Sequence, residues 1–160
     1  GTGRPPAPEP AVTVAFRRAT SADLPVVVAL LRDDDLGATR ETTDLRPYRA
    51  AFAEIDGDPR HLLVVGDLDG EVIACLQATV LPCLTHGGRR RAQVEGVRVS
   101  DAHRGAGIGA SLVAWTIAWA RDHECGVIQL TTDKARPDAL RFYESLGFTA
   151  THEGLKLTLG

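Results

Sequence analysis

The residues with the clearest chemical meaning form a glycine-rich run, Arg104-Gly105-Ala106-Gly107-Ile108-Gly109. The run follows a strand-like stretch, Gln93 to Val99, and precedes an amphipathic segment that is predicted to be helical. Glycines leave the backbone N–H groups at the start of a helix uncovered, and the helix dipole favours negative charge at that end. The run therefore predicts a turn that binds a phosphate group.

The glycine run alone is compatible with more than one ligand. A dinucleotide site of the Rossmann type needs an acidic residue about 20 positions further on. The candidates are Asp122 and Glu124, which stand at the end of the predicted helix rather than on a following strand. A Walker-type nucleotide site is excluded, because the run contains no Gly-Lys-Ser/Thr. A structural turn without any ligand also fits the run.

A second motif indicates which of these ligands the glycine run binds. The stretch Asp-Ala-Leu-Arg-Phe-Tyr-Glu-Ser-Leu-Gly-Phe, residues 138 to 148, follows the next predicted strand. Together with the glycine run it resembles the GNAT family of N-acetyltransferases. The two family motifs are Arg/Gln-x-x-Gly-x-Gly/Ala and Ala-x-x-x-Tyr-Glu-x-Leu-Gly-Phe. The resemblance extends over the order of predicted elements from Val12 to Leu159, which is nearly the whole chain.

The resemblance implies an acetyl-CoA site in a gap where two central parallel strands of the sheet part. The pantetheine arm would pair with strand backbone as an added strand does, at Val97, Arg98 and Val99. The pyrophosphate would lie on the turn, and Arg104 would add charge-assisted contacts to it. The backbone groups of the turn that would bind it are those of Gly105, Ala106, Gly107, Ile108, Gly109 and Ala110.

Two side chains are candidates for proton transfer. Tyr143 matches the tyrosine of the family motif, and a phenol can protonate a departing thiolate. Glu95 lies on the strand before the turn, where many family members carry an acidic residue. Strand alternation predicts that it shares a face with Val97 and Val99, and it could take a proton from an amine. Core packing for Tyr143 and an exposed strand position for Glu95 are the structural alternatives.

One residue departs from the family pattern, and few residues indicate where the amine acceptor would bind. Arg136 stands where the family often has Asn, and we expect it to contact the CoA phosphates instead. Asp33, Asp34 and Asp35 could attract a cationic amine, or could simply end the first helix. His152 lies between the last two predicted strands, where it could face the acceptor or be structural.

The chemistry depends on elements that the pattern of apolar residues predicts. The predicted strands are Val12–Arg18, His61–Leu68, Glu71–Leu81, Gln93–Val99, Val127–Thr132, Phe148–His152 and Leu155–Leu159. The predicted helices are Leu24–Leu31, Leu45–Ile55 and Gly107–His123, with a further helix that begins at Pro137 and is capped by Gly147. Asp69-Gly70 predicts a tight hairpin. The order predicts an α/β fold, with a mixed, mostly antiparallel sheet, one central parallel pair and helices on both faces.

Composition bounds the remaining classes of function. The chain has 160 residues and a net charge of -3, so no basic surface argues for nucleic acid. Three cysteines at unrelated spacings indicate neither a zinc site nor disulfides, and we expect a reducing, cytoplasmic compartment. No apolar run is long enough to span a membrane. Residues 1–10, rich in proline, are predicted to be a disordered tail, and residues 11–160 a single domain.

The sequence therefore predicts an N-acetyltransferase with acetyl-CoA as donor, no metal, and a small-molecule primary amine as acceptor. The amine would attack directly in a ternary complex. Two alternatives stay open, a protein or peptide N-acetyltransferase and a non-catalytic acyl-CoA sensor. A homodimer is compatible with the family resemblance.

Overall fold

The computed structural model describes Gly3, Pro5 and residues 13–160 of the chain. The predicted tail, apart from Gly3 and Pro5, lies outside the described residues, as does the start of the first predicted strand. Five strands form one sheet: β1 (Ala15–Arg18), β2 (His61–Leu68), β3 (Glu71–Leu81), β4 (Arg90–Val99) and β5 (Cys125–Gln129). The helices are α1 (Leu24–Arg32), α2 (Asp35–Arg40), α3 (Arg46–Asp56), the single turn α4 (Thr85–Gly88), α5 (Ile108–Asp122) and α6 (Pro137–Ser145).

The sheet has the predicted mixed topology. Its strands lie in the order β1-β2-β3-β4-β5, with antiparallel pairing throughout except between β4 and β5, which are parallel. The hairpin between β2 and β3 turns at Asp69 and Gly70, which both have positive φ, of 50° and 89°. Positive φ at both central residues is the geometry that an Asp-Gly loop favours.

Helices cover both faces of the sheet, as predicted. β2 shows why, because its alternate residues are buried on opposite sides. Leu62 and Val64 belong to the core beneath α5, together with Ile73, Leu76, Leu112 and Trp119. Leu63 and Val65 belong to a second core beneath α1 and α3, together with Leu24, Val27 and Phe52. Residues 62–66 of β2 are buried, because helices cover both faces of the sheet there.

The parallel pair separates where the resemblance predicts a gap. β4 and β5 pair only from Arg90↔Cys125 to Gln93↔Gln129. The last pair is joined by its side chains, since Gln129 Nε2 donates to Gln93 Oε1 at 2.8 Å. Beyond this pair, β4 continues to Val99 while β5 ends, so the sheet opens between the two strands.

Some predicted elements are wrong in extent or absent. β4 begins three residues before the predicted start at Gln93, and the predicted Val127–Thr132 strand is shifted to Cys125–Gln129. The Asp33–Asp35 run ends α1 and also starts the unpredicted helix α2, because the Asp34 side chain accepts from Gly37 N–H as an N-cap. Phe148–His152 and Leu155–Leu159 form no strand, because no neighbouring strand of the described chain pairs with them.

Gly37, in the first turn of α2, generates a stability prediction. A Cβ atom at Gly37 would lie 1.9 Å from the Leu31 carbonyl oxygen, so no other residue fits there without backbone movement. We expect Gly37→Ala to lower the free energy of unfolding by about 2 kcal/mol, the usual scale of such crowding. Urea denaturation would measure it.

Gly57→Ala is the matched control. Gly57 follows α3, has a negative φ of -80°, and its added Cβ would lie 3.2 Å from the Ala53 carbonyl oxygen, a contact that a shift of a few tenths of an ångström relieves. We expect a change below about 0.5 kcal/mol, as for surface substitutions in general. Equal losses for the two variants would contradict the steric argument.

Candidate active site

The glycine turn forms one end of the gap in the sheet. Gly105 and Gly107 have φ of 81° and 77°, and α5 begins directly after Gly107. An added Cβ at either glycine would meet no atom within 4 Å, so backbone conformation rather than crowding requires glycine here. The turn thus presents open backbone to solvent.

The first turn of α5 has N–H groups available for an anion. Ser111 N–H makes the first bond of the helix, to the Gly107 carbonyl at 3.1 Å. The amides of Ile108, Gly109 and Ala110 precede it and have no acceptor within the helix. No side chain caps this end of α5. The predicted phosphate turn therefore has the backbone geometry that a phosphate needs.

Arg104 stands beside this turn and is held by its own neighbours. Its guanidinium contacts Asp101 at 2.7 Å and donates through Nε to the Val99 carbonyl at 3.3 Å. The side chain is 55% exposed, so it can still reach an anion at the turn. Its predicted role in phosphate binding stays a prediction.

A β-bulge in β4 changes which side chains share a face. Glu95 lies opposite Gln77, and Arg98 lies opposite Cys75, so that Leu76 alone faces both Gly96 and Val97. Gly96 adopts a φ of 61° in this bulge. An extra residue in a strand reverses the alternation that follows it.

The predicted face of Glu95 is therefore wrong. Val97 and Val99 pack with the core beneath α5, on the same side as Ala92 and Val94. Glu95 is exposed and lies on the opposite side of the strand, the side that α1 covers. Its role as a base stays a prediction, and what supports it is its position two residues beyond Gln93, where pairing with β5 has ended.

Tyr143 lies on α6, close enough to Arg98 of β4 for the guanidinium charge to act on its phenol. Its ring makes edge contacts with Phe142 and Phe148, with ring centres 5.0 and 5.6 Å apart. Burial raises the pKa of the Tyr143 phenol, and the nearby charges of Arg98 and Arg136 oppose that rise. The phenol is therefore protonated at neutral pH and available as a proton donor.

The end of α6 fixes this tyrosine. Phe148 N–H donates to the Tyr143 carbonyl and Gly147 N–H to the Glu144 carbonyl, at 3.1 and 3.0 Å. Gly147 has a φ of 96°. The two bonds and the left-handed glycine form a Schellman cap, which confirms the predicted stop at Gly147.

Two guanidinium groups stand near the phenol. Arg98 donates through Nη1 to the Val97 carbonyl at 2.9 Å, while its Nε is buried without a hydrogen-bond partner. Nη2 of Arg136 lies 2.8 Å from Oδ2 of Asp34, but its N–H is not aligned for a hydrogen bond. The guanidinium group of Arg136 is therefore already paired with the Asp34 carboxylate, and its side chain is only 25% exposed.

Two ion pairs join the loop before α6 to α2. In one pair the acidic residue is at α2, and in the other the basic residue is. Asp34 at the start of α2 pairs with Arg136, and Arg40 at its end pairs with Asp133. The Ala135 amide and the Arg40 guanidinium hold the pKa of Asp133 below its usual value. We call these four residues the α2 clasp. Asp34 is thus used by the fold, as cap and ion-pair partner.

The remaining candidates lie outside this gap. Cys75 is buried, and burial raises the pKa of its thiol to about 12, which suits a structural cysteine. His152 is exposed, and its Nδ1 lies 2.6 Å from the Thr151 hydroxyl. Within the described residues, no group of three or more His, Cys, Asp or Glu side chains is placed to hold a metal ion.

Sequence reasoning missed the bulge at Gly96, the Gln93–Gln129 contact and the α2 clasp. Glycine inside a predicted strand was the available signal for the bulge. The clasp has no local signal, because Arg40 and Asp133 are 93 positions apart.

The chain is similar to known proteins over most of its length. The model of the Acetyltransferase (GNAT) family matches residues 27–148. A glucosamine 6-phosphate N-acetyltransferase of Trypanosoma brucei brucei is 33% identical over 91 residues, which are 56% of this chain and 59% of the relative. The chain thus matches less than two thirds of that relative's length.

Two further similarities extend over more of both chains. An aminoalkylphosphonate N-acetyltransferase of Salmonella typhimurium is 28% identical over 137 residues, 86% of each chain. A crystal structure described as a transcriptional regulator from Bacillus halodurans C-125 is 49% identical, with a TM-score of 0.88. That comparison covers 92% of this chain and 100% of the other. In the described part of this chain, no helix is long and apolar enough to cross a membrane.

Proposed function

Because the chain belongs to the Acetyltransferase (GNAT) family, we propose that it transfers an acetyl group from acetyl-CoA to a primary amine of a small molecule. The amine would attack directly in a ternary complex. The observation that carries the proposal is the gap between β4 and β5, with the glycine turn after the unpaired end of β4 and the Tyr143 phenol near Arg98 of that strand.

The described residues fit the donor. Beyond Gln93 the backbone of β4 has no β5 partner, so Val97 to Val99 can pair with the amides of a pantetheine arm. The open turn at Gly105 and Gly107 and the amides of Ile108 to Ala110 suit a pyrophosphate. When bound, acetyl-CoA supplies an acetyl thioester, which is attacked at its carbonyl carbon.

Tyr143 would act as the proton or hydrogen-bond donor to the departing thiolate. Its phenol is neutral at pH 7, as tyrosine ordinarily is, and burial raises its pKa further, so it can donate a hydrogen bond or a proton to sulfur. The positive charges of Arg98 and Arg136 limit that rise, and they would also stabilise negative charge that develops beside the phenol.

Glu95 would take a proton from the amine, directly or through water. It is exposed on the α1 side of β4, immediately before the bulge, so its carboxylate is accessible to an acceptor that enters from that side. Arg136 would contribute to the CoA site only if it exchanged Asp34 for a phosphate.

The relatives suggest which acceptors to test first. The Trypanosoma and Salmonella proteins are named for amines that carry a phosphate or phosphonate group. Such a group would meet the positive charge of Arg98 and Arg136 near Tyr143. A small-molecule amine with an anionic group is therefore the preferred acceptor, and a protein or peptide amine is the alternative.

An acceptor screen tests the function. Release of CoA thiol from acetyl-CoA would be measured with glucosamine 6-phosphate, an aminoalkylphosphonate, polyamines, amino acids, aminoglycosides and short peptides. We expect release with at least one small amine, and glucosamine beside its 6-phosphate would report the effect of the anionic group. Release with peptides alone would favour the protein acetyltransferase.

A sensor is the second candidate, because the structurally similar Bacillus halodurans protein is described as a transcriptional regulator. A sensor would bind CoA, detectable by calorimetry, and release thiol with none of the amines. That result would overturn the catalytic proposal while leaving the CoA site in place.

The Tyr143→Phe variant tests the proton donor. We expect kcat to fall at least about hundredfold, the lower range for proton transfer by a side chain, with the acetyl-CoA Kd unchanged within about twofold. Tyr48→Phe is the control, since Tyr48 is the other tyrosine and donates to Glu41, away from the gap. An unchanged kcat in Tyr143→Phe would remove Tyr143 from the mechanism.

The Gly107→Ala variant tests the phosphate turn. A side chain at φ of 77° costs about 1–2 kcal/mol, so we expect the turn to shift and the Kd for CoA to rise at least about tenfold by calorimetry. Gly70→Ala is the matched control, with a φ of 89° in the β2–β3 hairpin and similarly open surroundings. Equal effects of both variants on CoA affinity would contradict the assignment of the turn.

A further inference from the structure

Gln93 and Gln129 close the inner end of the gap between β4 and β5. They form the last register pair of the two parallel strands, and their side chains are joined by the bond of 2.8 Å from Gln129 Nε2 to Gln93 Oε1. Both residues are half-buried. We call these two side chains the glutamine pair. The gap therefore ends at paired backbone and at two amide side chains that bridge the strands.

The two faces of the sheet differ at this point. The sequence neighbours of both glutamines pack in or against the core beneath α5: Ala92, Val94, Ile128 and Leu130. Because side chains alternate along a strand, the glutamine pair projects to the opposite face, on which Glu95 also lies. On the α5 side, close-packed side chains cover the end of the gap. On the other side, the glutamine pair covers it.

The position of the phosphate turn gives the direction of the donor. The turn follows Val99 at the open end of the gap, and the proposed pantetheine arm pairs with residues 97–99. The acyl end of that arm therefore points towards Gln93. Four residues of strand span about 13 Å, and an extended acyl chain adds about 1.3 Å per carbon. A chain of eight carbons thus approaches the glutamine pair, while an acetyl group stops well short of it.

Resting on this proposed acetyl-CoA site, we propose that the glutamine pair limits the length of the acyl group that the enzyme accepts. A longer chain meets paired backbone in front of it and close-packed core on the α5 side. Among the described residues, its remaining exit is the face that the glutamine pair covers. To pass, the chain would have to break the bond between the two amides and leave them against hydrocarbon.

Amide side chains are suited to this selection. Burial of each methylene in an apolar channel tightens binding about fourfold, so a gap without a polar end would favour long chains. Two amides that already satisfy each other gain nothing from contact with hydrocarbon and lose their own bond. The glutamine pair therefore favours a short acyl group over a long one.

Calorimetry of acyl-CoA binding, without any amine, tests the proposal. For the wild type we expect the Kd of octanoyl-CoA to be at least about tenfold above that of acetyl-CoA, the lower range for forcing methylenes into filled space. Gln129→Ala opens the exit, so the octanoyl-CoA Kd should fall at least about tenfold while the acetyl-CoA Kd stays within about twofold. Gln93→Ala should have the same effect from the other strand. The Tm of each unliganded variant reports whether it is folded.

Gln77→Ala is the matched control. Gln77 is also half-buried, but it lies on β3 opposite Glu95, one strand away from the gap. This variant should keep the wild-type ratio of the two dissociation constants. Equal binding of both acyl-CoAs by the wild type, or weak octanoyl-CoA binding by both variants of the glutamine pair, would overturn the length limit and leave the acetyl-CoA site in place. Failure of the wild type to bind acetyl-CoA would instead overturn the proposed donor site, and the length limit with it.

Discussion

The site depends on one constraint, which is that β4 and β5 stop pairing while β4 continues. The side-chain bond between Gln93 and Gln129 marks the last joined position. Beyond it β4 still pairs with β3 on one side but has no neighbouring strand of the described chain on the other, and the Val97 and Val99 carbonyls accept from the guanidinium groups of Arg98 and Arg104. A ligand with amides of its own is the natural partner for such a backbone. The glycine turn, the bulge and Tyr143 are candidates for one functional site because β4 leaves this opening.

Positive and negative side chains lie close together around the opening, so their charges partly cancel. Arg98 and Arg136 bring positive charge to the region of the phenol, and Asp34 and Asp133 bring it back towards neutrality through the α2 clasp. The clasp joins α2 to the loop before α6, so the segment that would meet an acceptor is held by the segment that carries the phenol. Surface ion pairs of this kind contribute little to stability individually. Their effect here is to fix position.

Features encoded by neighbouring residues could be predicted from the sequence. The β2–β3 hairpin follows from Asp69-Gly70, and the end of α6 follows from Gly147, because each needs only local backbone conformation. The bulge at Gly96 depends on which residues of β3 lie opposite, and it places Val97 and Val99 on the face opposite Glu95. The clasp depends on residues far apart in sequence. The last two predicted strands satisfy the pattern of alternation, but a strand also requires a partner, and pattern alone cannot supply one.

Gly109 is the point at which the first turn of α5 packs against α6, the helix that carries Tyr143. A Cβ atom there would lie 3.3 Å from Phe142 Cζ, so the ring of α6 rests directly on the backbone of the first turn of α5. Phe142 adjoins Tyr143 in the chain, and the phosphate turn adjoins Gly109. The span between phenol and turn is therefore set by one close-packed contact between two helices. A ligand that reached from one to the other would have to match this length, because close-packed contacts leave little room to adjust.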